Sequence, residues 1–515
     1  MSDSRVLNTK RNIITGLFQQ LLNIILPFIV RTMILYILGD QYQGLNGLFT
    51  SVLSILNLSE LGFSYAVTYI LFKPIANGDN ELICAVMAYL RKVYRYVGAA
   101  VLVLGLAVMP FLRYLINGSV PDDVDIYILY AVYLGNSVVS YLLFAYKTSL
   151  ITAMQRMDII NIITMAVKTV MQISQIAVLI VFRSYYWFIA LIPVFTVIND
   201  LLTEYASRRA FPDIKPVGRI PDDIKKDLIT QVKGIFIGRV SDAARNGADN
   251  IFISALIGLT AVAVYNNYYY IYYAVYAVSL VIANSMGASV GNSIASETKE
   301  KNYSDLCRFT FIFSWFTGWC TICMLCMYQD FMLIWMRGDT SLMLPDHDMI
   351  LFCIYFYAIA MNNIRNQYVN GSGLFWELRA SNVCEAVSNI VLNFVLGYFF
   401  GITGIIAATL ITIVVFNFAA RTNILFKKYF EMSPVKFYTQ NLLYIGVTAA
   451  VGALTYFVCS FVTLEGIPGL AAKLLICILL PNIIELAIYF RTDRFKDSVR
   501  FLGRILRRKQ PKQKK

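Results

Sequence analysis

The sequence predicts an all-α polytopic membrane protein, with 14 transmembrane helices in two pseudo-symmetric six-helix bundles plus two C-terminal helices, around a central cationic cavity. Three observations predict it. Of 515 residues, 58% are apolar and only 15% charged, with a mean hydropathy of +0.62, whereas soluble proteins carry about 25% charged residues. Apolar stretches long enough to cross a bilayer, roughly 20 residues of about 1.5 Å rise each, recur between Gly, Pro and charge clusters along the whole chain. The lysines and arginines, finally, gather in alternate connections.

Taken in order, the apolar segments begin near residues 12, 46, 91, 124, 159 and 185, then 230, 262, 305, 348, 376 and 403, then 438 and 468. The first is a retained helix, because its apolar run is about 27 residues long and lacks a small-residue cleavage site. Residues 1–207 form the N-terminal bundle and 208–229, which includes RRAFPDIKPVGRIPDDIKKD, a cytoplasmic linker. Residues 230–430 form the C-terminal bundle, 431–490 the last two helices, and 491–515 a basic amphipathic tail. In that tail Phe495, Val499, Leu502 and Leu506 share one helical face, suited to the anionic inner leaflet.

An even number of crossings puts both termini on one side. Thirty-four of the 44 lysines and arginines fall on that side, against Arg113, Arg183, Arg337 and Lys473 opposite, so the termini are cytoplasmic. The net charge of +13 therefore belongs mostly to one face of a membrane, and nucleic acid is not a partner. Six cations remain inside the predicted helices: Arg31, Lys168, Lys233, Arg239, Arg245 and Arg365.

Three of these six lie in TQVKGIFIGRVSDAARNGADN (230–250), the seventh helix. At 100° per residue Arg239, Asp242, Arg245 and Asp249 share a face about 120° wide. Lys233 lies off that face near the cytoplasmic end and snorkels. The i,i+3 and i,i+4 pairs explain how the helix tolerates its charges. They do not explain why it carries them, at roughly 2.5–3.5 kcal/mol for each charge at mid-bilayer, and a face on a water-filled cavity does.

Arg31 in the first helix, Lys168 in the fifth and Arg365 in AMNNIRNQYVNG, flanked by Asn362, Asn363 and Asn366, add polar groups from both halves. Glu60 in SELG joins Asp242 and Asp249 as the acidic complement, and the cations outnumber these three carboxylates. Such a cavity selects an anionic solute or headgroup.

Other motifs carry less. An internal repeat at an offset of 219 places Gly39 on Gly258 and Gln20 on Arg239, and repeats of this kind put a substrate site between the halves. In YNNYYYIYYAVY, Tyr265, Tyr269, Tyr272 and Tyr276 share a face; they suit sugar stacking, and Tyr265 an outer aromatic belt. Cys320, Cys323 and Cys326 in CTICMLC are spaced i, i+3, i+6, but the one histidine, His347, lies in a distant loop, and packing explains them. Nine cysteines, an odd count almost wholly inside apolar runs, imply no disulfide framework. No GxxxxGK[ST] or HExxH occurs, so this chain is not expected to use ATP. Outer connections of about 4–14 residues count against a membrane glycan polymerase or ligase, the lesser alternative reading.

In NIITGLFQQLLNIILPFIV, LGDQYQGLNGLFTSVLSILNLSELG, ADNIFISALIG…YNNYYYIYYAV and FGITGIIAATLIT, in that order and spacing, the chain resembles the multidrug/oligosaccharidyl-lipid/polysaccharide exporter superfamily. Within it the resemblance is to polysaccharide repeat-unit flippases of the Wzx type. It implies a bacterial cytoplasmic-membrane exporter that moves an undecaprenyl-pyrophosphate-linked oligosaccharide to the outer leaflet. Arg31, Arg239 and Arg245 would hold the pyrophosphate or acidic sugars; Lys168, Arg365, Asn362 and Asn366 join them on the cavity argument alone. No cofactor is expected; H+ or Na+ is the candidate coupling ion, at Asp242, Asp249 or Glu60. Anionic inner-leaflet lipids, a glycan polymerase and other polysaccharide-assembly proteins are the expected partners. The arginines that lipid II flippases cluster in helices 1, 2 and 8 are not reproduced, since helices 2 and 8 here carry none. A drug/cation antiporter of the same superfamily is the alternative, and it would call for a carboxylate-dominated cavity.

Overall fold

A computed structural model of the protein describes the backbone of residues 2–56, 63–374 and 376–507. Within these, side chains are described except at 2–17, 63–66, 69, 227, 231, 233–246, 285, 288 and 504–507. The described chain is helical without strands: α1 (Ser2–Ile37), α2 (Asp40–Leu56), α3 (Phe63–Asn77), α4 (Asn80–Val108), α5 (Ile126–Leu142), α6 (Lys147–Ala153), α7 (Met157–Phe182), α8 (Tyr185–Ala210) and α9 (Asp222–Leu256) come first. There follow α10 (Leu259–Ser296), α11 (Lys299–Trp335), α12 (Asp346–Gly371), α13 (Arg379–Thr412), a π-helical run Ile413–Ala420, α14 (Arg421–Leu425), α15 (Val435–Cys459), α16 (Gly466–Tyr489) and α17 (Asp493–Arg507).

Ten described helices are long and apolar enough to cross a membrane, or eleven if α5 and α6, bent by 54° at their break, form one span. The difference from fourteen has local causes. In the segment expected near residue 46, α2 has 17 described residues. The charges of α9 lower its hydropathy. Residues 379–430 form one 52-residue run, interrupted at Gly401 by φ 60° and ψ −136°, a left-handed backbone that favours glycine. That run folds back on itself. Asn389 Nδ2 donates to Thr409 Oγ1 at 3.3 Å and Arg421 Nη2 to Asn382 Oδ1 at 3.0 Å, contacts that a straight helix of about 1.5 Å rise per residue would hold tens of ångströms apart.

By its contacts the chain divides into Met1–Ala263 and Val264–Lys515. In the first unit α1 packs on α7, α7 on α8, α5 on α4 and α8, and α3 on α6. Tyr130, fully buried, donates to the Gly105 carbonyl at 3.1 Å. α9 packs on α2 and α3 within this unit, whereas the sequence assigns it to the bundle 230–430. A small residue accounts for the approach to α2: Gly247 lies against Ser54 and Ile55. Asn250 Nδ2 donates to Ser51 Oγ at 2.9 Å and Asn117 Nδ2 to the Leu256 carbonyl at 2.9 Å. The repeat is visible here too, since Gly39 (φ 118°) and Gly258 (φ 133°) end α1 and α9 in the same left-handed conformation.

In the second unit α11 is the central element, packed on α12, α15, α16 and α17. Two of its indole donors are satisfied across these contacts: Trp315 Nε1 reaches Asn482 Oδ1 at 2.8 Å and Trp319 Nε1 the Cys477 carbonyl at 2.9 Å. The basic tail forms α17 and docks on α11. Phe495 stacks on Trp315 at 5.8 Å and Arg308 binds Asp497 at 2.7 Å, while Val499 and Leu502 of the apolar face stay exposed. Leu506 lies outside the described side chains.

Candidate functional site

The unit Met1–Ala263 holds a cationic pocket of about 650 Å³, within the 300–1,000 Å³ usual for ligand sites. Four elements build it. Arg91 and Arg95 lie one turn apart on α4. The break between α5 and α6 brings Lys147 into its wall, and the end of α8 adds Glu204 and Arg208. The Pro212–Pro216 stretch after α8 supplies Lys215. Five cations thus face one carboxylate.

Glu204 organises the wall. Its Oε2 lies 3.4 Å from Lys147 Nζ and its Oε1 2.5 Å from Arg208 Nε. Lys147 is only 3% exposed, and an ammonium so buried needs a counter-charge. With Glu204 committed there, Arg91, Arg95, Lys215 and the largely exposed Arg208 leave an excess of positive charge. Guanidinium forks match the paired oxygens of phosphate, so the pocket suits a polyvalent oxyanion. Beyond the other end of α4, a cleft of about 510 Å³ carries Asp122, Asp123 and Asp125 against Arg113. The two ends of this unit therefore differ in sign.

Arg239, Asp242 and Arg245, with Lys233, are helical in α9, but their side chains lie outside the described residues, as does Glu60 altogether. Asp249 is buried at 4% exposure in the first unit. Arg31 is half-buried on α1 and Lys168 exposed on α7; Lys168 makes no ion pair among the described residues.

Arg365, in the second unit, is sequestered at 2% exposure. Its Nη1 donates to Asn362 Oδ1 (2.8 Å), Thr422 Oγ1 (3.1 Å) and the Phe418 carbonyl (3.2 Å). Its Nη2 donates to Asn417 Oδ1 at 3.1 Å, to the Asn417 carbonyl, and to Asn366 Oδ1 at 3.5 Å. Asn417 and Phe418 belong to the π-helical run, whose wide turns free carbonyls for a side-chain donor. Arg365, Asn362 and Asn366 thus share one buried network that ties α12 to the returning limb of the hairpin.

Tyr265, expected in a membrane-interface belt, is instead buried at 3% exposure with its ring 5.4 Å from Phe352. Tyr272 stacks on Tyr355 at 4.7 Å, and Tyr276 donates to Asn363 Oδ1 at 3.1 Å. The tyrosine face packs within the second unit.

Two features lie beyond the sequence expectations. In the sequence Arg91, Arg95, Lys147, Arg208 and Lys215 belong only to the cytoplasmic excess of cations, and the fold alone brings them around Glu204. The buried seam Asn382, Glu385, Asn389 and Asn393 on α13, with Arg421 paired to Glu385 at 3.2 Å, was legible as a polar stripe in SNVCEAVSNIVLNF.

No protein-family model and no curated protein matches the chain. Among solved structures, it superposes on the lipid II flippase MurJ in an inward closed conformation with a TM-score of 0.70 at 12% identity, over 93% of this chain and 98% of that one. A mutant of the Vibrio cholerae MATE transporter VcmN gives 0.58 at 13%, over 83% and 99%. An inward-facing multidrug resistance MATE family transporter of the MOP superfamily gives 0.57 at 12%, over 78% and 94%. At these identities the likeness is one of fold.

Proposed function

We propose that this chain is a flippase that carries an undecaprenyl-pyrophosphate-linked oligosaccharide from the cytoplasmic to the outer leaflet for surface polysaccharide synthesis. The observation that carries the reading is the pocket of five cations around one carboxylate, in a chain with the fold of lipid and drug exporters. In the proposed topology of fourteen crossings with cytoplasmic termini in a bacterial inner membrane, this pocket faces the cytosol. It would capture the pyrophosphate while the lipid tail stays in the bilayer. Arg31, Arg239 and Arg245 would then receive the headgroup, and alternating access would expose it outside. Asp242, Asp249 or Glu60 would exchange H+ or Na+ to reset the carrier, a role that requires different affinity in the two states.

The multidrug resistance transporter among the structural neighbours raises a second reading, export of lipophilic cations. A pocket that offers such a solute five positive charges repels it, which favours the anionic substrate. In cells, Arg239→Ala and Arg245→Ala should each accumulate the glycolipid in the inner leaflet and lower surface polysaccharide at least several-fold. Unchanged surface polysaccharide in both would contradict the assigned path.

A further inference from the structure

The unit Val264–Lys515 gathers thiols at a second place. Cys326 on α11, Cys459 at the end of α15 and Cys477 on α16 bring three Sγ atoms within 4.8 Å of one another, each residue at most 6% exposed. Cys323, one turn before Cys326, packs against the same group. Burial as a small apolar residue is the ordinary fate of a free cysteine, and it suffices for Cys84 beside the Asp213 carbonyl or Cys353 beside Met349. It does not account for thiols from three helices converging on one point next to a polar cavity. That cavity, of about 300 Å³, is lined by Cys326 and Cys459 together with Gln329, Asp330, Asp346 and Lys473, and Lys473 is ion-paired to Asp330.

We propose that Cys326, Cys459 and Cys477 form a site for one thiophilic d10 metal ion, Zn2+ or Cu(I), reached through this cavity. Metal–sulfur bonds of about 2.3 Å around one ion place the sulfurs roughly 4 Å apart, so sulfurs already within 4.8 Å close on an ion by side-chain adjustment alone. A ligand set of sulfur only selects soft ions over Mg2+ or Ca2+. Binding converts three thiols to thiolates and releases three protons. The complex then carries one negative charge with Zn2+ and two with Cu(I), beside a cavity whose Lys473 is already paired to Asp330 and which also carries Asp346. Charge thus favours Zn2+, with its fourth position open to water from the cavity, whereas three-coordination suits Cu(I). Either ion would pin the α15–α16 hairpin to α11 at a point where no backbone connection exists.

The test uses the full-length protein in detergent, reduced and handled without oxygen, titrated with Zn2+ and in a parallel arm with Cu(I), each against a competing chromophoric chelator. One equivalent should be held, with proton release in either arm and thiolate-to-copper absorption in the second. Affinity should fall at least tenfold in Cys459→Ser and in Cys477→Ser and stay unchanged in Cys384→Ser, whose cysteine is exposed. Thermal melting without metal identifies any variant that has lost its fold; for that position Cys326→Ser replaces it. Binding of either ion in this pattern supports the site and identifies the metal. Equal binding by wild type and the serine variants, or a disulfide among the three cysteines in the protein as isolated, overturns it.

Discussion

Arg91→Glu combined with Arg95→Glu is expected to weaken binding of a short-chain prenyl-pyrophosphate disaccharide by at least about a hundredfold. The two side chains lie one turn apart on α4, and reversing both turns five cations against one carboxylate into three against three. A unit charge about 7 Å from a phosphate is worth roughly 2 kcal/mol at an effective dielectric near 20, and about 2.7 kcal/mol corresponds to a hundredfold in affinity. Calorimetry on the detergent-solubilised protein checks this. The loss should shrink as salt rises, because screening acts on partly exposed charges. Neither side chain is buried, so the melting temperature should move little. An unchanged Kd would remove the pocket from the substrate path.

Arg365→Met is expected to destabilise the second unit severely. The substitution keeps bulk but strands the Asn417 and Phe418 carbonyls and the Asn362 and Thr422 side-chain oxygens, all of which accept from the guanidinium. Breaking a buried, hydrogen-bonded charge network costs about 3–5 kcal/mol, and at roughly 2–4 °C per kcal/mol for a unit of this size melting should fall by on the order of 10 °C. Arg365→Lys should recover only part of it, since one ammonium cannot span donors that the planar fork presents to two carbonyls at once. A melt within about 2 °C of wild type for Arg365→Met would show that the network is not structural. Substrate binding measured on the protein that stays folded then separates a structural role from a direct one.

The helical class and the glycine correspondence were legible because each rests on local signals. Apolar length marks a crossing, and Gly39 and Gly258 end their helices with φ values only glycine adopts readily. The hairpin at Gly401 was anticipated by the expected start near residue 403, because the GITG break interrupts the apolar run. What the sequence could not reveal depends on contacts between distant residues. Lys147 meets Glu204 57 positions later, so the pocket looked like scattered cytoplasmic charge. Arg365 read as a cavity cation because nothing local shows that a π-helical turn more than 50 residues away consumes its donors. Cys326 read as packing because Cys459 and Cys477 arrive from α15 and α16. The packing of α9 on α2 likewise depends on Gly247 matching Ser54 and Ile55 of another helix.

Reconstitution measures the central claim most directly. Proteoliposomes containing the purified chain, loaded with undecaprenyl-pyrophosphate-linked oligosaccharide on one leaflet, should move it to the other with first-order kinetics. The Arg91→Glu, Arg95→Glu variant should lose at least nine-tenths of the rate, and a glycolipid with an uncharged linkage should not move. Proteoliposomes that leave the pyrophosphate-linked glycan in place while expelling a lipophilic cation would contradict the account and make the protein a drug exporter.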